Sequence, residues 1–130
     1  MKIYTTLFIS LLTLGATFSS CKKNGTGGKA SLHIQIAHHS VPINGATLYI
    51  KFGAQDMPSN PITDYDLKLL ASQTDSHIQV ENLRPGDYYL YAVGFDPAVN
   101  QTLEGGIPVK IKWKERKENI DVNLAITEVP

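Results

Sequence analysis

Apolar residues recur at every second position in one short run after another along this chain. Leu32, Ile34 and Ile36 alternate with His33, Gln35 and Ala37, and Ala46, Leu48, Ile50 and Phe52 alternate with Thr47, Tyr49 and Lys51. Ile78 and Val80 keep the same step, as do Ile107, Val109, Ile111 and Trp113, and then Ile120, Val122, Leu124 and Ile126. A period of two puts one set of side chains on one face of an extended strand, whereas a helix would scatter it around its axis. Turn residues separate the runs: Asn44-Gly45, then Gly53 to Pro61 with Pro58 and Asn60, then Pro85-Gly86, Gly94 to Pro97, and Gly105-Gly106. Leu67 to Ser72 fits a strand or a short helical turn equally well. Turn signals every roughly 8–12 residues predict an all-β fold, a single antiparallel Ig-like sandwich of seven or eight strands.

The stretch Leu83-Arg84-Pro85-Gly86-Asp87-Tyr88-Tyr89-Leu90-Tyr91-Ala92 predicts the central strand. Pro85 presets φ for the second position of a turn, and Gly86 accepts the positive φ that the third position of a type II turn requires. Tyr88, Leu90 and Ala92 share one face, predicted inward, with the Tyr88 hydroxyl on backbone near the turn as in a tyrosine corner. Tyr89 and Tyr91 take the other face, and Tyr49 is outward on its own strand by the same parity. Three tyrosines on one sheet face have the composition of a binding surface, apolar bodies with polar tips. Coverage by the long loops or plain cross-strand stacking is the simpler alternative.

The first thirty residues carry an address. Lys2 is followed by an uncharged run from Tyr4 to Ser20 that includes Leu7-Phe8-Ile9 and Leu11-Leu12, ending at Phe18-Ser19-Ser20-Cys21. A positive start, a short apolar middle and small residues before a boundary make residues 1–20 a secretory signal rather than a membrane span. Phe18-Ser19-Ser20-Cys21 resembles the lipobox of bacterial lipoproteins, with Phe18 where Leu is usual. That resemblance implies cleavage before Cys21, lipidation of its thiol and attachment to the outer membrane. The missing acidic residues after Cys21 imply the periplasmic face. Residues 21–29, with Asn24, Gly25, Thr26, Gly27 and Gly28, read as a flexible tether, and residues 30–130 as the folded domain. Of the 12 basic residues only Lys2 lies in the signal, which leaves 11 against 12 acidic ones. A near-neutral balance does not point to nucleic acid as the partner.

Asn44-Gly45-Ala46-Thr47-Leu48-Tyr49-Ile50, followed by Val80-Glu81-Asn82-Leu83-Arg84-Pro85-Gly86-Asp87-Tyr88-Tyr89-Leu90, resembles the carboxypeptidase regulatory-like domains. These group with Cna-B-type and transthyretin-like modules, which are seven- or eight-stranded sandwiches. The resemblance implies a fold and leaves function open. The terminal Tyr-Arg-Gly-Ser-type motif of transthyretin-related 5-hydroxyisourate hydrolases is absent from Leu124 to Pro130. The first strand offers no inward Lys for the isopeptide bond of Cna-B modules.

The remaining candidates for chemistry are sparse. His33, His38 and His39 are potential zinc or copper ligands. On an extended strand, however, His33 and His39 stand roughly 20 Å apart and His38 and His39 point to opposite faces, so no metal site is expected. Asp56, Asp64, Asp66 and Asp96 lie in loops where carboxylates could gather a Ca²⁺, although solvated turn acids are the plainer reading. Lys110, Lys112, Lys114, Arg116 and Lys117 form a basic ribbon, read as the guard of an edge strand or a contact for lipid phosphates. No nucleophile sits in a recognisable turn. The expectation is a lipid-anchored, non-catalytic envelope module without cofactor that meets a protein or glycan. The alternative is a small periplasmic hydrolase built from His77 and the loop acids.

Overall fold

The computed structural model describes residues 24–129. The expected signal and Cys21 lie outside them. The strands are β1 (Thr26–His38), β2 (Val41–Pro42), β3 (Thr47–Phe52), β4 (Leu67–Leu70), β5 (His77–Leu83), β6 (Gly86–Asp96), β7 (Gln101–Ile111), β8 (Asn119–Ala125) and β9 (Thr127–Glu128). A 3₁₀ turn at Trp113–Glu115 joins β7 to β8. Among the described residues no helix is long and apolar enough to cross a membrane.

The fold is an all-β sandwich of nine strands, two of them only two residues long. In the first sheet β1 is central: β8 runs along one edge, and β5 and β2 share the other. The second sheet has the order β4-β3-β6-β7-β9, so β6 is its central strand. One feature departs from the expected antiparallel pattern: β8 pairs with β1 in parallel, from Ser31↔Asn119 to Ala37↔Ala125. The 3₁₀ turn carries the chain from the second sheet back to the first at the end where β1 starts, so β8 runs the same way as β1.

The two inner faces supply the core. Leu32, Ile34 and Ile36 of β1, Ile78 and Val80 of β5, and Val122 and Leu124 of β8 meet Leu48 and Ile50 of β3, Tyr88, Leu90 and Ala92 of β6, and Leu103 and Ile111 of β7. Each buried aliphatic side chain contributes roughly 1.5–3 kcal/mol by leaving water. Alternation thus becomes sheet face, and sheet face becomes core.

Three local expectations are corrected. Gly105 and Gly106, read as loop, lie inside β7. A Cβ on Gly105 would stand 2.5 Å from the Ala125 carbonyl oxygen, and one on Gly106 would stand 2.7 Å from the Tyr89 ring. The glycines are there because other groups occupy the space of a side chain, not because the chain turns. Trp113, read as the last residue of an alternating strand, leaves the ladder and begins the 3₁₀ turn on the surface. The tether expected over 21–29 is, from Asn24 onward, part of the sandwich. Asn24 N–H donates to the Pro85 carbonyl at 2.6 Å, Arg84 N–H donates to the Gly25 carbonyl at 2.8 Å, and β1 starts at Thr26.

Pro85-Gly86 does not close a hairpin, because β5 and β6 belong to different sheets. The segment is an arch between the layers, and Asn24-Gly25 packs beneath it. Gly86 has φ +141°, a conformation that side chains disfavour, and a Cβ there would stand 2.7 Å from Asn24 N. Gly86→Val is expected to cost more than about 1 kcal/mol in a denaturant melt, through φ strain and displacement of Asn24. A midpoint equal to wild type would show that the arch does not depend on this residue.

Candidate functional site

The expected tyrosine face is largely closed. Tyr89 and Tyr91 are 9% and 7% exposed. Tyr89 lies across Gly106, whose missing side chain makes room for the ring. Tyr91 is the cross-strand neighbour of Tyr49. Burial pushes the hydroxyls of Tyr89 and Tyr91 up from the ordinary tyrosine range, with Asp56 adding to the first and Glu104 to the second. Tyr49 is half-buried, with Tyr65 edge-on at 5.2 Å and the Lys68 ammonium 5.6 Å from its ring centre. The three tyrosines share a face, but they work as sheet packing and do not form an open patch.

The loop acids do not converge either. Asp64 binds Lys51 Nζ at 2.7 Å, Asp66 accepts the Phe52 N–H at 2.7 Å, and Asp96 pairs with His38. His77 sits on the outer face of the first sheet, stacked on His33 at 4.9 Å, with its Nδ1 3.1 Å from Asp75. His77 is thus paired with Asp75, while the loop acids Asp64, Asp66 and Asp96 have partners of their own.

Two ends of the sandwich are built differently. At the end where β1 and β6 begin, Tyr88 is fully buried. Its hydroxyl donates to the Arg84 carbonyl at 2.6 Å and accepts the Gly25 N–H at 2.7 Å. Beside this arch Trp113 is 70% exposed, with the Arg116 guanidinium 4.6 Å from its ring centre. Trp113, Lys29, Arg84, Arg116 and Lys117 line a shallow groove of about 350 Å³. Lys112 and Lys114 flank Trp113 and are exposed. Four of the groove's eight lining residues are cations, and none is acidic.

At the opposite end, β1 closes on β2 through a two-residue turn. His39 and Ser40 both have positive φ, 47° and 67°, the backbone of a type I′ turn made without the usual Asn or Gly. The expectation for an extended strand, that His38 and His39 point apart, fails here. The turn swings His39 back, so the two ring centres lie 4.2 Å apart. His38 is not a surface residue but is 4% exposed. Its Nδ1 is 3.0 Å from Asp96 Oδ2, and its Nε2 is 3.1 Å from Glu128 Oε1. Asp96, more than the Glu128 carboxylate, raises the His38 pKa, against the lowering effect of burial. His38 in turn holds Asp96 below the usual carboxylate range. One ligand atom each from His38, His39 and Glu128 lies within 4.8 Å of the others, the spacing of groups able to share one cation.

A signal for half of this cluster was present in the sequence. His38 has the inward parity of Leu32, Ile34 and Ile36, and Asp96 that of Tyr88, Leu90 and Ala92. Two polar residues in register with the core at the ends of two central strands must satisfy each other or hold something. Glu128 carried no such mark, because β9 follows a short break after β8. No protein-family model, no curated protein and no solved structure matches this chain.

Proposed function

We propose that this chain is a lipid-anchored, non-catalytic module of the bacterial envelope. It stands on the membrane by its Trp113 end and presents the opposite end to a protein or glycan. The observation that carries this reading is the position of Asn24. Three backbone steps separate it from Cys21, so the two Cα atoms lie at most about 11 Å apart. Asn24 N is itself bonded to Pro85, beside the groove lined by Arg84, Lys29, Arg116 and Trp113. A lipidated Cys21 therefore brings that groove to the headgroups. Trp is favoured at such an interface because its ring is apolar and its N–H is polar, and each nearby Lys or Arg gains roughly 1 kcal/mol from an anionic leaflet. β6 spans the sandwich from Gly86 to Asp96, so the far end stands about 33 Å from the arch.

The chain has one Trp, which makes the test direct. With the processed lipoprotein in vesicles containing an anionic lipid, Trp113 emission is expected to shift to the blue and to be quenched by lipids labelled in the headgroup region. Cys21→Ala is expected to take up no palmitate and to lose both effects. Water-like emission without lipid quenching, in a protein shown to be lipidated, would overturn the membrane-facing orientation. Palmitate uptake by Cys21→Ala would overturn the anchor.

A further inference from the structure

The geometry points to a transition-metal site at the β1–β2 turn, the end of the sandwich away from Trp113, formed by His38, His39 and Glu128 and selective for Zn²⁺ or Cu²⁺. It rests on side-chain geometry alone and does not depend on the anchor or on the orientation at the membrane.

His38 is held as a metal-binding imidazole is held. Its ring is buried, and a carboxylate, Asp96, takes Nδ1 at 3.0 Å. That contact favours the tautomer with the proton on Nδ1 and leaves the Nε2 lone pair facing away, the carboxylate–histidine–metal arrangement. Nε2 is the one buried side-chain nitrogen or oxygen among the described residues without a hydrogen-bond partner. Glu128 Oε1 is 3.1 Å from it but out of line for a hydrogen bond. Two lone pairs at that separation repel, and an N–H between them would be bent. A cation seated to one side of the line between the two atoms satisfies both.

The third ligand comes from the tight turn. Positive φ at His39 and Ser40 is a strained backbone for residues other than glycine, and such strain concentrates at functional sites. Its effect here is to bring the His39 ring back beside that of His38, 4.2 Å away centre to centre. Ligands on a tetrahedral Zn²⁺ at 2.0–2.1 Å stand about 3.3 Å apart. The His38–Glu128 pair already has that spacing. The exposed side chains of His39 and Glu128 close the remaining distance by rotation, while His38 stays fixed by Asp96. Two imidazoles and one carboxylate suit Zn²⁺ and Cu²⁺, with Cu²⁺ tighter. Ca²⁺ wants six to eight oxygens, and Mg²⁺ an octahedron of them. The fourth position opens to solvent, where water or a donor from a partner completes the shell.

The test is calorimetric titration of the full chain, untagged and solubilised in detergent, with ZnCl₂ and separately with CuSO₄. One ion per chain is expected, bound more tightly for Cu²⁺, with Cu²⁺ spectra showing imidazole nitrogen. His39→Ala and Glu128→Gln change exposed side chains that the core does not need, and each is expected to weaken binding by roughly tenfold or more. His33→Ala, on the outer sheet face, is expected to leave it unchanged. Absence of one-to-one binding overturns the site. So does binding that survives both His39→Ala and Glu128→Gln, or binding lost in His33→Ala instead.

Discussion

Tyr88→Ala is expected to lower stability by about 3–5 kcal/mol, with about 1–3 kcal/mol of the loss already present in Tyr88→Phe. The ring is fully buried at the start of β6 and packs edge-on against Phe52 at 5.6 Å. Its removal leaves a cavity under the arch. The hydroxyl has a separate role. It satisfies the Arg84 carbonyl and the Gly25 N–H, two backbone groups that have left the sheets' own ladders. Phenylalanine keeps the ring and strands both groups. For a domain of this size each kcal/mol moves the melting temperature by about 4–8 °C, so the two variants separate clearly from wild type and from each other. A Tyr88→Phe melt within a degree of wild type would mean that water replaces the hydroxyl and that the arch is not closed by it.

Gly105→Val is expected to cost about 3 kcal/mol, at the upper end of what overpacking usually costs, despite placing a good strand former in a strand. The reason is steric. A side chain there would meet the Ala125 carbonyl oxygen at 2.5 Å and the Ile126 Cα at 3.2 Å. Both are backbone atoms and cannot rotate away. The chain crosses β7 at this point as it passes from β8 to β9, and Ile126 is fully buried there. Valine would push the crossing outward, expose Ile126 and loosen Glu128, two residues further on. Two readouts are therefore expected to move together: a lower midpoint in urea, and faster hydrogen exchange across the Leu103↔Glu128 and Glu104↔Thr127 pairs. Loss of stability with β9 exchange unchanged would place the strain elsewhere.

What the sequence determined by itself is the class of fold and most of the core. The period of two in Leu32–Ile36, Leu48–Phe52, Tyr88–Ala92 and Val122–Ile126 is a local property, and burying one face of each strand leaves few alternatives to a sandwich. The same parity rule, carried to the strand ends, would have placed His38 and Asp96 inward, although Asp96 reads as a loop acid. What only the tertiary structure decided is which distant segments share space. His38 meets Asp96 across 58 residues of chain, and Gly25 meets Tyr88 across 63. Local pattern does not encode such pairings. A glycine that makes room for a crossing strand reads the same as a glycine that turns the chain, so Gly105 and Gly106 looked like loop. An exposed tyrosine reads the same as one lying on a glycine, so Tyr89 and Tyr91 looked like a binding face. Glycine-rich sequence before a strand reads as a tether until an arch such as Arg84–Gly86 supplies the carbonyls and amides that hold it. The two-residue turn at His39-Ser40 lacks the Asn or Gly that would have signalled positive φ. The packing of β1 against β2 imposes it, and that turn brings two histidines together where an extended strand would have set them apart.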